Sequence, residues 1–310
     1  MKPIRVGVIG VGYLGEHHAR IYSEMDGVEL VAVVDPNEER AREIGKKLGY
    51  PFYTKHQEIL NAVDAVSIAA PTSFHHDLSI DFLKNNVDVL LEKPMTVTLE
   101  EADRLVQEAE QNKRILQIGH LERFNGAIRK LKEVVKDPRF VESHRIGPFV
   151  NRGTDVDVIL DLMIHDIDIL LSIVQSKVSD IRAVGTPVIS SNVDIANARI
   201  EFEGGCVANV TASRVSLKKE RKIRIFQPDT YISLDYQLQE LRVYRRVMDP
   251  EKGPQIMMEK IGTAKDEPLR VELEAFIHSV RSRDQPVISG RDGREALKVA
   301  LNIISLMRGS

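Results

Sequence analysis

The chain has 310 residues, of which 43% are hydrophobic, and this is enough for two domains with cores of their own. A formal net charge of −3 gives no bulk attraction to nucleic acid or anionic lipid, and no apolar run approaches the roughly 20 residues of a membrane span. The single cysteine, Cys206, excludes an intramolecular disulfide, and the absence of a basic-then-apolar signal region makes a cytoplasmic setting the expectation.

Strand-like and helix-like segments alternate up to about residue 120. Strands are predicted at 4–9, 30–34, 64–69, 87–91 and 115–118, and helices at 13–25, 37–48, 75–85 and 98–112. Because the two types alternate and the strands are almost continuously apolar, we expect a parallel sheet with helices on both faces. Residues 1–120 are therefore predicted to form an α/β domain.

The pattern changes after residue 120. Helices are predicted at about 122–136 and 155–175 with an irregular stretch between them, then strands at 178–188, 196–202, 207–213, 222–226, 231–234 and 241–246, then helices at 269–282 and 294–307. Gly204 and Gly205 lie between two of the strands and indicate a hairpin. Residues 121–310 are therefore predicted to form a second, α+β domain with a mostly antiparallel sheet, and its last helix is a candidate to pack back on the first domain.

The stretch Gly10–Gly15 follows the first predicted strand and begins the first helix, which is the context of a dinucleotide-binding Gly-x-Gly-x-x-Gly motif. The first glycine permits a tight turn, the second lets the backbone approach a pyrophosphate, and the third lets helix and strand pack closely. The helix N-terminus offers N–H groups to the phosphates. An ordinary tight turn is the alternative. The residues predicted to bind the dinucleotide here are Gly10, Gly12, Tyr13, Leu14 and Gly15.

Asp35 lies 20 residues beyond Gly15, at the end of the second predicted strand. A carboxylate at that point accepts hydrogen bonds from the adenosine ribose hydroxyls and repels a 2′-phosphate. The sequence therefore favours NAD over NADP as the cofactor. Arg40 and Arg42 follow closely, but their place inside the next predicted helix is typical of a solvated helix face.

Ligands of parallel sheets bind outside the carboxyl ends of the strands, so the turns that follow the strands are candidates for the site. The turn of Ala70, Pro71 and Thr72 ends the third predicted strand and is expected to line the nicotinamide side of the cofactor. His75 begins the next helix, where it is expected either to cap that helix or to contact the cofactor.

The fourth predicted strand delivers a Glu-Lys-Pro sequence to the same edge of the sheet. Lys93 brings an ammonium group to the cleft, and Pro94 fixes the backbone behind it, which makes the turn stiff. Glu92 is predicted either to pair with Lys93 or to hold a cofactor hydroxyl. The alternative is a surface turn closed by a salt bridge.

Asp157, Asp161, His165 and Asp168 are spaced four, four and three residues apart, so on a helix they form one polar stripe. A histidine with a carboxylate one turn away is suited to act as a general base, because Asp161 can orient the ring of His165 and support its charge. A metal site and a pair that ties the helix to the sheet are the alternatives. No metal is predicted, since hydride transfer from a nicotinamide needs none.

With these motifs in this order, the chain resembles the Gfo/Idh/MocA oxidoreductases over nearly its whole length. The resemblance rests on Gly10–Gly15, Pro71–His75, Glu92–Pro94 and Asp161–Asp168. It implies an N-terminal NAD-binding Rossmann domain and a C-terminal α+β domain whose open, mostly antiparallel sheet pairs chains into homodimers or homotetramers. It also implies that Lys93 contacts the reacting hydroxyl and the nicotinamide, and that His165 accepts the proton with the assistance of Asp161.

The stretch Gly119–Asn125 follows the last predicted parallel strand and narrows the resemblance to one subgroup of the family. It is similar to the corresponding stretch in the subgroup that oxidises C3 of a UDP-sugar such as UDP-N-acetylglucosamine. The residues predicted on this basis to bind substrate are Lys93, His120, Arg123, Asn125, Asp161 and His165.

Three arginines are candidates to meet a diphosphate, namely Arg123, Arg145 and Arg152, with an ordinary surface position as the alternative for each. The chain departs from the family in one respect. Many sugar-using relatives carry a glycine-rich segment before the catalytic helix, whereas this chain has Asn151–Asp155 there.

The resulting hypothesis is NAD-dependent oxidation of a secondary hydroxyl on a sugar ring, with C3 of a UDP-sugar as the first candidate. One alternative is a dehydrogenase or reductase of a free sugar or an inositol-type cyclitol. Another is an NAD-binding sensor without catalysis, which would be expected to lack Lys93 or His165. Lys218–Lys222 is basic, but it has no interleaved aromatic residues, so a solvated loop or strand edge is expected there rather than a nucleic-acid site.

Overall fold

The structure, a computed structural model, describes residues 2–149 and 156–308. Its Cα atoms group into two compact units. The first holds the described residues up to His120 together with Leu269–Leu297, and the second holds those of Leu121–Pro268 and from Lys298 onward. The segment Leu269–Leu297, which the sequence-based division placed in the second domain, thus groups with the first unit.

The first unit contains, within the described residues, a sheet of six parallel strands. They are β1 (Ile4–Ile9), β2 (Val28–Val34), β3 (Phe52–Tyr53), β4 (Ala65–Ile68), β5 (Asp88–Glu92) and β6 (Leu116–Gly119). Their order is β3-β2-β1-β4-β5-β6, and every neighbouring pair is parallel. The order reverses between β1 and β4, so the ends of these strands border the crevice at which such sheets bind ligands. The predicted Rossmann arrangement is confirmed, and only the two-residue β3 was missed.

Four helices connect these strands: α1 (Tyr13–Ser23), α2 (Glu38–Leu48), α3 (His75–Lys84) and α4 (Leu99–Gln111). Local sequence sets their ends. Asn37 caps α2 by accepting the N–H of Arg40, and Gly49 ends the same helix with a φ of +79°. Thr98 and Glu101 form a capping box at the start of α4. These caps hold the helices in register beside strands whose apolar side chains are buried.

The second unit contains, in the part of the chain that the structure describes, a sheet of eight strands. They are β7 (Phe140–Ile146), β8 (Val178–Thr186), β9 (Ile195–Phe202), β10 (Val207–Ser213), β11 (Glu220–Gln227), β12 (Thr230–Asp235), β13 (Glu240–Asp249) and β14 (Gly253–Ile261). Their order is β14-β13-β12-β11-β7-β10-β9-β8, and every neighbouring pair is antiparallel except β7 and β10. The predicted open, mostly antiparallel sheet is confirmed, as is the hairpin at Gly204 and Gly205.

Two helices of this unit are α5 (Gly126–Val134) and α6 (Ile164–Ile173), and a π-helical turn, Ile159–Met163, leads into α6. Asp166 of α6 accepts hydrogen bonds from Ser143 and Arg145 of β7, so α6 covers the face of the sheet to which these side chains point. The stretch between the helices predicted at 122–136 and 155–175 was expected to be irregular, and that expectation is wrong because it contains β7, a strand in the middle of the sheet.

The chain ends with α7 (Pro268–Ser282) and α8 (Gly290–Arg308). The side chain of Gln117 in β6 donates to the carbonyl oxygen of Glu272 in α7, at 3.3 Å. Arg283 follows α7 and donates to the carboxylate of Asp88 at the start of β5, at 3.0 Å. These contacts explain why Leu269–Leu297 groups with the first unit. Among the helices of the described residues, none combines the length and apolar character needed to cross a membrane.

Candidate active site

The glycine loop after β1 is shaped by two of its three glycines. Gly10 has a φ of +81°, and a Cβ atom on it would lie 2.8 Å from the carbonyl oxygen of Ala69. A Cβ atom on Gly15 would lie 1.8 Å from the carbonyl oxygen of Gly10, so the first turn of α1 packs directly on the loop. On Gly12, by contrast, a Cβ atom would meet no atom of the described residues within 4 Å. The fold itself does not require glycine at Gly12, and the open space there fits the close approach of a pyrophosphate.

The predicted acceptor of the ribose hydroxyls lies beside this loop. The carboxylate of Asp35 accepts hydrogen bonds from the backbone N–H groups of Val11 and Asn37, both at 2.9 Å. Tyr13 and Leu14 begin α1, and the side chain of Tyr13 is exposed while Leu14 is half-buried. The structure therefore places the predicted cofactor residues of the glycine loop, the start of α1 and the end of β2 in one cradle.

Arg40 also belongs to this cradle. Its Nε donates to the carbonyl oxygen of Val11 at 2.8 Å, and its other nitrogens pair with Glu16 and Glu43. The interpretation of Arg40 as part of a solvated helix face is therefore wrong, because the side chain reaches back from α2 to the glycine loop. Arg42 is exposed and pairs along its own helix, as expected of a solvated position.

His75 joins the two turns that follow β4 and β5. Its ring is buried, with Nδ1 3.0 Å from the carbonyl oxygen of Pro94 and Nε2 2.8 Å from the carbonyl oxygen of Ala70. Burial lowers the pKa of His75, although the two carbonyl oxygens oppose this effect. His75 is the first residue of α3 and makes no capping hydrogen bond. The capping role is therefore wrong, and contact with the cofactor stays a prediction for His75 and for Pro71 and Thr72.

The turn that carries Lys93 lies inside the unit rather than on an open surface. Glu92, Met95 and Thr96 are buried, and Lys93 between them is half-buried. Oε2 of Glu92 accepts from the backbone N–H of Lys93 at 3.3 Å, and Oε1 of Glu92 lies 3.2 Å from Nε2 of His18. The interpretation as a solvated surface turn is therefore wrong. The arrangement orients Glu92 inward and leaves Lys93 as the partly accessible charge.

A second acid lies behind this turn. Glu272 of α7 is fully buried, and neither of its carboxyl oxygens has a hydrogen-bond partner among the described residues. Burial and the negative charge of Glu92 raise the pKa of Glu272 well above its ordinary value. Sequence reasoning missed this residue because nothing in its local pattern separates Glu272 from the exposed acids of an amphipathic helix.

In the second unit, the predicted polar stripe divides into two parts. Asp161 lies in the π-helical turn and His165 in the first turn of α6, and both are half-buried. Asp157 and Asp168 are buried, the first accepting the backbone N–H of Val193 and the second binding an arginine. The accessible pair is therefore Asp161 and His165. A π-helical turn at this point is a common mark of functional helices.

Two of the candidate diphosphate ligands are held inside the second unit. Arg123 donates from Nε and Nη2 to the carboxylate of Asp168, both at 2.7 Å. Arg145 pairs with Asp166 at 2.7 Å and with Glu122 at 2.8 Å. Burial opposes the charge of Arg145, but the two carboxylates raise its pKa above the usual range. These contacts contradict the ordinary surface alternative. They give both side chains a structural task, and substrate binding by Arg123 stays a prediction.

The remaining predicted substrate residues are also buried. His120 directly follows β6, and its backbone N–H donates to the carbonyl oxygen of Ile118. Asn125 caps α5 by accepting the N–H of Ala127 at 3.0 Å, and its amide nitrogen donates to the carbonyl oxygen of Tyr236 at 3.0 Å. Arg152 and the departure from the family at Asn151–Asp155 lie outside the described residues.

Comparison with known proteins gives two family matches along the chain. Residues 4–120 match the model of the oxidoreductase family with an NAD-binding Rossmann fold, GFO/IDH/MocA. Residues 122–230 match the GFO/IDH/MocA C-terminal domain. The first match ends at residue 120 and the second begins at residue 122.

Individual relatives cover nearly all of the chain. The UDP-N-acetylglucosamine 3-dehydrogenase of Acidithiobacillus ferrooxidans is 37% identical over 305 residues, which are 98% of this chain and 97% of that protein. Its solved structure has a TM-score of 0.93 and covers 100% of this chain and 99% of that one. The myo-inositol 2-dehydrogenase of Thermotoga maritima is 30% identical over 95% of this chain and 93% of that protein.

Proposed function

Since the chain belongs to the Gfo/Idh/MocA oxidoreductase family, we propose that it oxidises a secondary hydroxyl on a sugar ring with NAD. We propose further that this hydroxyl is attached to C3 of a UDP-sugar such as UDP-N-acetylglucosamine. The observation that carries this proposal is the 37% identity with a UDP-N-acetylglucosamine 3-dehydrogenase across 98% of the chain. Lys93, Asp161 and His165 are all present, which favours an enzyme over a sensor that only binds the cofactor.

The glycine loop and Asp35 are proposed to hold the cofactor. The open space at Gly12 and the N-terminus of α1 suit a pyrophosphate, and Asp35 suits the adenosine ribose. NAD is preferred over NADP because a fixed carboxylate would repel a 2′-phosphate. Arg40 does not offset this charge, since Glu16 and Glu43 already pair with it.

The chemical roles follow from the kinds of side chain and their burial. Lys93 is proposed to donate a hydrogen bond to the reacting oxygen and to stabilise the negative charge that develops there. His165 is proposed to take the hydroxyl proton, and Asp161 to orient and support its ring. NAD, when bound, supplies the acceptor for the hydride. The half-buried position of Lys93, against a buried Glu92, suits a cation that must stay available to a ligand.

A cyclitol is the second candidate substrate. The observation that favours it is the 30% identity with a myo-inositol 2-dehydrogenase over 95% of the chain. The same side chains serve either substrate and either direction of reaction, because both place a secondary hydroxyl or its ketone beside a lysine and a histidine. NADH formation with UDP-N-acetylglucosamine or with myo-inositol separates the two.

We also propose that the outer face of the second sheet pairs with another copy of the chain. This face, opposite α6, carries a row of packed rings with centroids 5.8, 4.9 and 5.0 Å apart, formed by Phe140, Phe226, Tyr231 and Tyr244. On β14, Ile256 and Met258 are exposed on the same side of the sheet, since Met258 pairs with Tyr244 and Ile256 lies two residues away. Light scattering of the wild type and of Tyr231→Glu tests this, with a fall in molar mass expected for the variant.

The test of the proposed reaction is NADH absorbance after the protein is mixed with NAD and each of four compounds. These are UDP-N-acetylglucosamine, its uronic acid form, myo-inositol and glucose. Lys93→Ala is expected to abolish the signal, whereas Lys84→Ala, at an exposed lysine of α3, is expected to leave it unchanged. A signal with myo-inositol alone would show that the substrate is a cyclitol rather than a nucleotide sugar. No signal with any compound, despite NAD binding, would contradict the proposed oxidation.

A further inference from the structure

Arg221 belongs to the basic run Lys218–Lys222, which the sequence analysis interpreted as a solvated loop or strand edge. Lys218 and Lys219 are exposed in the loop before β11, as expected, but Arg221 is not part of a solvated segment. Arg221 is the second residue of β11, an interior strand that pairs with β12 on one side and β7 on the other. Its side chain is half-buried. The basic run thus contributes one half-buried guanidinium to the second unit.

The register of β7 and β11 places two arginines opposite one another. Arg221 is the direct partner of Arg145 in this antiparallel pair. Residues that face one another in this way project to the same side of the sheet, with Cβ atoms about 4.5–5.5 Å apart, and like charges there are destabilising. The shared side is the one that α6 covers, since Arg145 binds Asp166 of α6.

The two arginines differ in how their charges are compensated. Asp166 and Glu122 both pair with Arg145. The guanidinium of Arg221 forms no hydrogen bond or ion pair with any residue in the described ranges. Burial and the charge of Arg145 lower the pKa of Arg221, and the charges of Glu122, Asp166 and Asp161 only partly oppose them. A half-buried cation opposite another cation costs free energy, and the carboxylates of the described residues offset only part of this cost.

We propose that Arg221 binds the diphosphate of a nucleotide-sugar substrate near Asp161 and so determines specificity for nucleotide sugars over free sugars. This inference rests on the proposed function. A guanidinium offers a planar fork of donors that matches phosphate oxygens, and it binds most strongly where water is partly excluded. Arg123 and Arg145 are less suited to this task, because carboxylates of the second unit already occupy their guanidinium groups.

The experiment compares the wild type with Arg221→Met, in which an unbranched but uncharged side chain replaces the arginine. UDP, uridine and NAD are titrated separately by calorimetry, and KM and kcat are measured with UDP-N-acetylglucosamine. Arg129→Met is the matched control, because Arg129 belongs to the same unit, is exposed on α5 and pairs with the carboxylate of Asp266. Arg221→Lys tests whether a point charge can replace the fork.

Arg221→Met is expected to raise the Kd of UDP and the KM of the UDP-sugar by about 10- to 100-fold, the range for lost hydrogen bonds to a charged group. Uridine and NAD binding are expected to change by less than about threefold, because neither contains the diphosphate of the substrate beside Arg221. The kcat value is expected to change as little, because a contact that is equally strong in the ground state and the transition state affects KM and not kcat. The Kd of UDP and the KM of the UDP-sugar for Arg221→Lys are expected to lie between those of the wild type and Arg221→Met. The melting temperature without ligand is expected to stay the same or rise, because a repulsion is removed.

The outcomes separate this inference from the proposed function. Equal UDP binding by the wild type and Arg221→Met would overturn the inference alone, provided the wild type oxidises the UDP-sugar. Loss of NAD binding, or a lower melting temperature in Arg221→Met, would assign the guanidinium to the cofactor or to the fold and would also overturn it. A wild type that neither binds UDP nor oxidises a UDP-sugar would overturn both. UDP binding that depends on Arg221 supports the inference even where the oxidised sugar proves different.

Discussion

The carboxylate of Asp35 and the backbone N–H of Val11 are joined by a 2.9 Å hydrogen bond, which ties the end of β2 to the glycine loop. The other oxygen of Asp35 accepts from Asn37, so the carboxylate is held in place within the fold itself. Each carboxylate oxygen has two acceptor sites, which leaves capacity for ribose hydroxyls. The proposed preference for NAD over NADP therefore depends on one preorganised side chain.

Asp35→Ser is expected to weaken NAD binding by about 10- to 100-fold, since each hydrogen bond to a charged group contributes roughly 1.5–3 kcal/mol. The ratio of NADP to NAD affinity is expected to rise, because the negative charge that faces a 2′-phosphate is gone. Fluorescence titration of both cofactors measures the two Kd values. Asp77→Ser, at an exposed aspartate of α3, is the control. An unchanged ratio would place the discrimination in another residue.

Gly12→Ala and Gly15→Ala are expected to separate cofactor binding from stability. A Cβ atom on Gly15 would overlap the carbonyl oxygen of Gly10, so Gly15→Ala is expected to lower the free energy of unfolding by about 1–3 kcal/mol or more. Gly12 has a φ of −61° and open space at its Cβ position. The free energy of unfolding of Gly12→Ala is therefore expected to differ from that of the wild type by less than about 0.5 kcal/mol.

The same Gly12→Ala variant is expected to bind NAD at least about tenfold more weakly, because the added methyl group lies where the pyrophosphate approaches. Denaturant unfolding and NAD titration of both variants measure the two effects. Undiminished NAD binding by Gly12→Ala would show that the pyrophosphate does not pass over this position.

The strands were predictable from the sequence where their buried residues are apolar. The strands of the first sheet are nearly continuous runs of Val, Ile, Leu and Ala, and each was identified except β3 with its two residues. β7 was missed because the buried positions of its sequence FVESHRI include Ser143 and Arg145, two polar residues that both donate to Asp166 of α6. β14 was missed for the opposite reason: it lies at the sheet edge and is exposed almost throughout.

Arg123→Ala tests whether this side chain serves the fold or the substrate. Removing it leaves Asp168 buried without its cation, so a loss of about 3–5 kcal/mol of unfolding free energy is expected. Arg129→Ala removes a half-exposed pair with Asp266 in the same unit and is expected to cost about 0–1 kcal/mol. Urea denaturation measures both. A stable Arg123→Ala protein with a raised KM for the UDP-sugar would instead support the substrate role predicted from the sequence.

The residues of the candidate site were predictable where they lie at the ends of strands. They were not predictable where they belong to a helix that is distant in sequence. Sequence order alone places Gly10 and Lys93 at one edge of a parallel sheet, because parallel strands share that edge. Glu272 reaches the back of the Lys93 turn only because α7 packs against β6, a contact between positions 155 apart in the chain. Periodicity describes the face of a helix and not its partner, so a buried acid and an exposed acid produce similar patterns.

Glu272→Gln is expected to make the protein more stable than the wild type above pH 4.5, the ordinary pKa of a glutamate. In the folded wild type the pKa of Glu272 is raised, so the folded state keeps a proton that the unfolded state releases. Stability of the wild type therefore falls as pH rises from 4.5 towards the raised pKa, by up to about 1.4 kcal/mol for each pH unit, whereas glutamine has no proton to lose. Urea denaturation at pH 5, 6, 7 and 8 is expected to show a difference that widens with pH. Glu274→Gln, at an exposed acid of the same helix, is expected to follow the wild type throughout. Parallel curves for Glu272→Gln and the wild type would show that Glu272 is ionised in the fold, with a cation or water beside it.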